Sequence, residues 1–147
     1  RELDKYAVRC GGGHNHRAGL YDAVLIKDNH LAGVPLDELA EALTAWLGQL
    51  KVPASFVEIE VDSLEQLAEV CKVPAVNIVL LDNFTPAQMR AAVAQRDAAG
   101  LRGKLALEAS GGVTLETIAA IAATGVERIS VGALTHSAVG LDIGLDL

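Results

Sequence analysis

Charged and polar residues recur in this sequence where apolar runs end. Lys27-Asp28 follows Ala23 to Ile26, Glu60 lies within Phe56 to Val61, Asp82 follows Asn77 to Leu81, and Glu108-Ala109-Ser110 closes the run that starts at Lys104. A lysine in such a place can receive an anion. Carboxylates there can stabilise positive charge that develops during a reaction, or hold a cation. Burying any of these groups unpaired costs several kcal/mol, so each needs a partner or a ligand. A closed network in which Lys27 pairs with Glu60 or Asp82 is the plainer explanation for any one of them. The recurrence in successive runs argues for a ligand site.

Glycine-rich turns supply a second chemistry. Ser110-Gly111-Gly112-Val113-Thr114 leads from one apolar run toward a helical segment, and Ser130-Val131-Gly132-Ala133 repeats the arrangement one unit later. Backbone N–H groups at such turns can cradle a phosphate. Either turn alone is weak evidence, because glycine is also the ordinary residue of tight turns. The pair on successive units points to a phosphate site made by Ser110, Gly111 and Gly112 with Val131, Gly132 and Ala133. Near the start, Gly11-Gly12-Gly13-His14-Asn15-His16-Arg17 joins backbone freedom to two imidazoles and a guanidinium, a combination suited to carboxylates or phosphates. His14 and His16 lack a third His or Cys at zinc spacing nearby, which argues against a metal centre there. His30 and His136 stand isolated and read as ordinary polar residues.

The elements that must position these groups follow from the hydrophobic pattern. Strands are expected at Ala23 to Lys27, Phe56 to Val61, Asn77 to Leu81, Lys104 to Ala109 and Arg128 to Val131, as near-continuous apolar runs buried on both faces. Leu36, Leu39, Leu43, Leu47 and Leu50 fall at helical spacing between the first two. Ser63 caps a helix over Leu64 to Lys72. Thr85 before Pro86 and Thr114 before Glu116 mark two more helix starts, with Gly100 and Gly125 as stops. Glu2 to Cys10 fits either a helix end or a short strand. The rhythm is that of βα units, so the fold class is α/β with parallel strands and the ligand site at their C-terminal ends. About five units fit, whereas a complete eightfold barrel takes about 250 residues. The expectation is an incomplete or open parallel α/β barrel occupying residues 1–147 as one domain.

Composition narrows the classes. Of the 147 residues 51% are hydrophobic and 21% charged, enough for one packed core, and the net charge of -7 argues against a general nucleic-acid surface. No apolar run is long enough for a membrane span, so a soluble, cytoplasmic protein is expected. Cys10 and Cys71 form no paired motif and are expected to be reduced and buried as small hydrophobes. The chain opens on Arg1 and its single methionine is Met89. It is therefore expected to be a piece of a longer protein.

The motifs Val8-Arg9-Cys10-Gly11-Gly12-Gly13-His14-Asn15-His16-Arg17 and Tyr21-Asp22-Ala23-Val24-Leu25-Ile26-Lys27-Asp28-Asn29-His30 resemble the quinolinate phosphoribosyltransferase family. The likeness continues through Glu58 to Asp62, Leu80 to Phe84, Leu107 to Val113 and Ile129 to Ser137, and so runs along the whole chain. It implies an enzyme that joins quinolinate to phosphoribosyl pyrophosphate, giving nicotinate mononucleotide, pyrophosphate and CO2. By resemblance, His16, Arg17 and Lys27 face the quinolinate carboxylates, and Glu60 and Asp82 face the ribose and its magnesium pyrophosphate. The 5′-phosphate falls to the two glycine turns, Lys27, Glu60 and Asp82 being the catalytic candidates. Mg2+ is implied with the phosphoribosyl pyrophosphate, without a protein ligand assigned. The family also implies an amino-terminal sandwich domain, a Thr-Arg-Lys segment upstream, an arginine lent by a neighbouring subunit, and a homodimer or larger assembly. Without those parts the chain alone is expected to be inactive. Two other readings compete: a barrel lyase using Lys27 as a Schiff-base nucleophile on a sugar phosphate, and a non-catalytic or molybdate-transport-associated relative.

Overall fold

The computed structural model describes residues 2–145. Five parallel strands form one sheet in the order β1-β2-β3-β4-β5: Val24–Ile26, Val57–Val61, Ile78–Asp82, Ala106–Ser110 and Arg128–Ile129. Sequential parallel order with a helix in each connection is the βα rhythm expected from the pattern. The helices are α1 (Glu2–Cys10), α2 (Asp28–Leu31), α3 (Leu39–Gly48, preceded by a 3-10 turn at Leu36–Glu38), α4 (Leu64–Val70), α5 (Pro86–Ala98), α6 (Ile118–Ala122) and α7 (Ala133–His136).

Alternation along the strands separates two faces. Val57, Ile59 and Val61 of β2, Val79 and Leu81 of β3, and Leu107 and Ala109 of β4 belong to the apolar core, with Leu43 and Leu47 of α3, Leu67 and Val70 of α4, and Met89 and Ala92 of α5. Each fully buried aliphatic side chain contributes roughly 1.5–3 kcal/mol relative to exposure, so this face, helices against sheet, holds the domain together. The other face carries Glu58 and Glu60 of β2, Leu80 and Asp82 of β3, and Glu108 and Ser110 of β4. Registers Glu60↔Leu80, Leu80↔Glu108 and Asp82↔Ser110 bring them side by side.

The helix boundaries have local causes. Thr85 and Gln88 form a reciprocal capping box with Pro86 in the first turn of α5. Ser63 accepts from Gln66 N to open α4, which stops at Val70, two residues short of the expected Lys72. Thr114 and Thr117 exchange hydrogen bonds in a turn, so α6 begins only at Ile118 and not directly after Thr114. β5 keeps two of the four expected residues, and the first segment is a helix. Gly100 and Gly125 take φ of +71° and +95°, the left-handed stop that glycine permits.

Two further features differ from the sequence expectation or escape it. Cys10 is exposed at the end of α1 and Cys71 is half-buried, so neither is a fully buried core residue; α1 carries no buried residue. Arg96 of α5, only 2% exposed, donates to Leu105 O and pairs with Asp97 and Glu127. Glu127 in turn accepts from Leu107 N, so one buried guanidinium ties α5 to the segments that begin β4 and β5. Among the described residues no helix is long and apolar enough to cross a membrane.

Candidate functional site

The polar residues of the site face follow from where each strand ends. Lys27 is the residue after β1, Glu60 the penultimate residue of β2, Asp82 the last of β3 and Ser110 the last of β4, while Ser130 and Val131 follow β5. Parallel strands put all these ends on one edge of the sheet, where ligands bind in such folds.

Lys27 Nζ lies 3.4 Å from Glu60 Oε2. The carboxylate is almost wholly buried and the ammonium half exposed, so the pair holds its negative end in the protein and offers its positive end outward. Half exposure and an acidic neighbour are not the apolar burial that makes a lysine a Schiff-base nucleophile. Asp82 is partly exposed. Asn83, in left-handed backbone at φ +55°, donates its Nδ2 to Asp82 Oδ2 at 2.7 Å and its backbone N–H to Ser110 O.

His16 enters from the segment between α1 and β1. Lys5 of α1 fastens that segment by donating to His16 O and Arg17 O at 3.0 and 2.9 Å, and Asn15 donates back to Lys5 O. His16 Nε2 reaches Glu58 Oε2 at 2.7 Å and stands 3.9 Å from Glu108 Oε1, with the Phe56 ring edge-on at 5.5 Å between centroids. The hydrogen bond to Glu58 raises the His16 pKa above 6.5. Burial opposes the rise, and the charges of Glu58 and Glu108 reinforce it. Burial also pushes the Glu108 carboxyl up, against the hydrogen bond donated by Ser130 Oγ at 2.5 Å. Arg17 is half-buried, its Nη1 3.4 Å from Ala23 O.

Sequence reasoning noticed Glu108 at a strand end but gave it no role, and it gave Glu58 none. Alternation was the available signal: Glu58 and Glu60 are two residues apart in one strand and must share a face. A cleft of about 1070 Å³ opens beside this group, lined by Lys5, His14, His16, Phe56, Glu108 and Arg128 among others.

The two glycine turns line one smaller cleft of about 570 Å³, containing Ser110, Gly111, Gly112, Val131, Gly132 and Ala133. His136, read as an isolated polar residue, lines it too. The N–H groups of Gly111, Gly112 and Gly132 have no protein acceptor among the described residues, which leaves them available to an anion.

Glu60 and Asp82 offer hard oxygen ligands suited to Mg2+, which takes one or two carboxylates and fills its other positions with substrate oxygens and water. They do not by themselves close a cage. Among the described residues the one trio of His, Cys, Asp or Glu with converging donor atoms is His16, Glu58 and Glu108.

Five parallel strands with helices in their connections, and charged side chains and two glycine turns at the strand ends, define a parallel α/β domain with a ligand-binding edge. The family model for the quinolinate phosphoribosyl transferase C-terminal domain matches residues 1–146, and the chain belongs to that family. It is 51% identical to the nicotinate-nucleotide pyrophosphorylase [carboxylating] of Mycobacterium leprae, across 100% of this chain and 49% of that protein. It is 42% identical to the probable enzyme of that name from Bacillus subtilis, across 100% and 48%. Among solved structures, the nicotinate-nucleotide pyrophosphorylase of Ehrlichia chaffeensis superposes with a TM-score of 0.82 at 39% identity, over 98% of this chain and 49% of that one. That of Francisella tularensis gives 0.77 at 43%, over 93% and 45%. The chain thus spans about half the length of these relatives.

Proposed function

We propose that the protein containing this domain joins quinolinate to phosphoribosyl pyrophosphate to make nicotinate mononucleotide, on a route to NAD. The observation that carries the reading is the arrangement on one sheet edge of a basic group (Lys27), a carboxylate group (Glu60, Asp82) and two glycine turns with free amides, with His16 on the same face against Glu58 and Arg17 beside it in sequence. Quinolinate is a dianion and needs the first; a ribosyl cation needs the second; a 5′-phosphate needs the third.

The chemistry runs in two steps. The quinolinate nitrogen bonds to the ribose C1′ as the C1′–oxygen bond to pyrophosphate breaks, and then the C2–carboxylate bond breaks, CO2 leaves and a proton replaces it. Arg17 and Lys27 orient the dicarboxylate. Glu60 and Asp82 hold ribose hydroxyls and stabilise the charge that grows at C1′. Bound Mg2+ would supply charge neutralisation on the departing pyrophosphate. Ser110, Gly111, Gly112, Val131, Gly132 and Ala133 hold the 5′-phosphate.

In this reading the domain works within a longer, cytoplasmic chain with an amino-terminal sandwich domain, as a homodimer or larger assembly, and is inactive alone. The test is incubation of the full-length protein with both substrates, following nicotinate mononucleotide by chromatography and CO2 from carboxyl-labelled quinolinate. Equal amounts of both products are expected. Folded, full-length protein that yields neither would overturn the reading.

A further inference from the structure

We infer that Glu58 is a positioning residue that holds His16 as an imidazolium, one ring nitrogen tied to the β2 carboxylate and the other left for an anionic substrate group. The inference rests on the reading above, in which His16 faces an acid substrate.

Four observations carry it. His16 Nε2 and Glu58 Oε2 are 2.7 Å apart, the length of a charge-assisted hydrogen bond. Among the described residues His16 Nδ1 has no protein partner, and the ring lines the large cleft. Phe56 braces the ring edge-on, so orientation is set from two sides. Glu58 is fully buried, and among the described residues its second oxygen, Oε1, has no hydrogen-bond partner. What the carboxylate supplies that a neutral residue does not is charge against His16.

The groups facing His16 come from every side. Glu58 of β2 and Glu108 of β4 favour its charged form, Arg17 beside it in sequence disfavours it, and burial disfavours it. Glu58 dominates because it is in hydrogen-bond contact, while Glu108 is 3.9 Å away and its other partners are Ser130 and Arg128. A divalent cation among His16, Glu58 and Glu108 is the competing occupant, since their donor atoms lie within 4.8 Å of one another. It would have to displace the proton from Nε2, the atom already bonded to Glu58. The imidazolium is the cation the geometry favours.

The sign of the pH effect follows from the raised His16 pKa. The charged ring is fully present below the ordinary imidazole range and is lost as pH rises through the raised value. Replacing Glu58 by Gln keeps the shape and removes the charge, so the loss should occur at lower pH. The experiment is imidazole 13C–1H NMR of the full-length protein, with His16 assigned from a His16→Asn variant, alongside steady-state kinetics from pH 5.5 to 8.5. Wild-type His16 should titrate above 6.5, and Glu58→Gln should lower that value. Each unit of lowering should raise the quinolinate KM about tenfold on the alkaline side, leaving it unchanged at pH 5.5 and the KM for phosphoribosyl pyrophosphate unchanged throughout. A wild-type His16 that titrates at or below 6.5 overturns the inference, as does an unchanged titration in a folded Glu58→Gln protein. Loss of the His16 titration on adding one equivalent of Mn2+ or Zn2+ overturns it in favour of a metal site. If Glu58→Gln does not fold, the wild-type titration decides. Absence of any turnover would sink the function and leave the NMR result standing by itself.

Discussion

Gly111 and Asn83 are fitted to each other across β3 and β4: a Cβ at Gly111 would collide with the Asn83 side-chain oxygen. Asn83 is itself in left-handed backbone and donates to Asp82. The first glycine of the Ser110-Gly111-Gly112 turn therefore makes room for the residue that bonds the Asp82 carboxylate, so the glycine turn and that carboxylate are packed together.

Gly111→Ala should for that reason cost more than Gly112→Ala. Both positions have positive φ, +94° and +59°, which costs a non-glycine residue roughly 1–2 kcal/mol. Only Gly111 adds the collision, since nothing lies within 4 Å of a Cβ at Gly112. Urea denaturation midpoints of the two full-length variants check this, and equal losses would mean that Asn83 simply moves aside. Gly48→Ala, at the end of α3 with open space around it, is the control and should be neutral or stabilising by up to about 1 kcal/mol.

Arg17→Ala is expected to weaken quinolinate binding much more than phosphoribosyl pyrophosphate binding. The guanidinium leans on Ala23 O at 3.4 Å, a marginal bond, and among the described residues it pairs with no acid. Separate calorimetric titrations of each ligand measure the two losses. Equal losses would remove Arg17 from the dicarboxylate site.

Much of this was legible in the sequence because strands buried on both faces announce themselves as short apolar runs, and their ends fix the site edge. Lys27, Glu60, Asp82, Ser110 and Val131 were all placed at that edge by pattern alone. Glu58 was not, because a reading that looks for polar residues at strand ends passes over one buried two residues deeper; only its neighbour two residues on shared the signal. The contact between His16 and Glu58 spans 42 residues of chain and depends on Lys5 anchoring the loop, a relation no local pattern encodes. Arg96 was missed for a similar reason: on a helix it reads as a surface cation until Leu105 O and Glu127 close around it. The late start of α6 reflects Thr114 and Thr117 satisfying each other's backbone N–H groups, which delays the helix by a turn.

Glu108→Gln should flatten the decline in stability as pH rises. The folded-state pKa of Glu108 is raised, by burial first and the charge of Glu58 next, so its favourable contribution is present below the ordinary carboxyl value near 4.5 and is lost as pH climbs through the raised value. His16 adds a decline of the same sign from 6.5 upward. Thermal melts of full-length protein from pH 4.5 to 8.5 should show the variant losing less than wild type across that range. Parallel curves would show that Ser130 and Arg128 already offset the burial of the Glu108 charge.

The carboxylates at the ends of β2 and β3 should act on the transition state more than on the ground state, and their different settings make the comparison sharp. Glu60 is almost wholly buried and already paired with Lys27 at 3.4 Å, whereas Asp82 is partly exposed and, among the described residues, bonded through its side chain only to Asn83. If both stabilise positive charge that appears as the bond to pyrophosphate breaks, neutral replacement lowers kcat more than it raises KM. Asp82→Asn should cost on the order of 10²-fold or more in kcat, the scale for removing one preorganised electrostatic group. Glu60→Gln should cost kcat as well and should also disturb Lys27, so its quinolinate KM should rise where that of Asp82→Asn does not. Because the Lys27 ammonium is half exposed, breaking the pair should cost stability only about 1 kcal/mol or less, which keeps the variant folded and the kinetics interpretable. Steady-state kinetics with both substrates varied, beside a thermal melt, make the measurement. A folded Asp82→Asn enzyme with near-wild-type kcat and only a raised KM would mean that this carboxylate serves uniform substrate binding and does not stabilise the ribosyl cation.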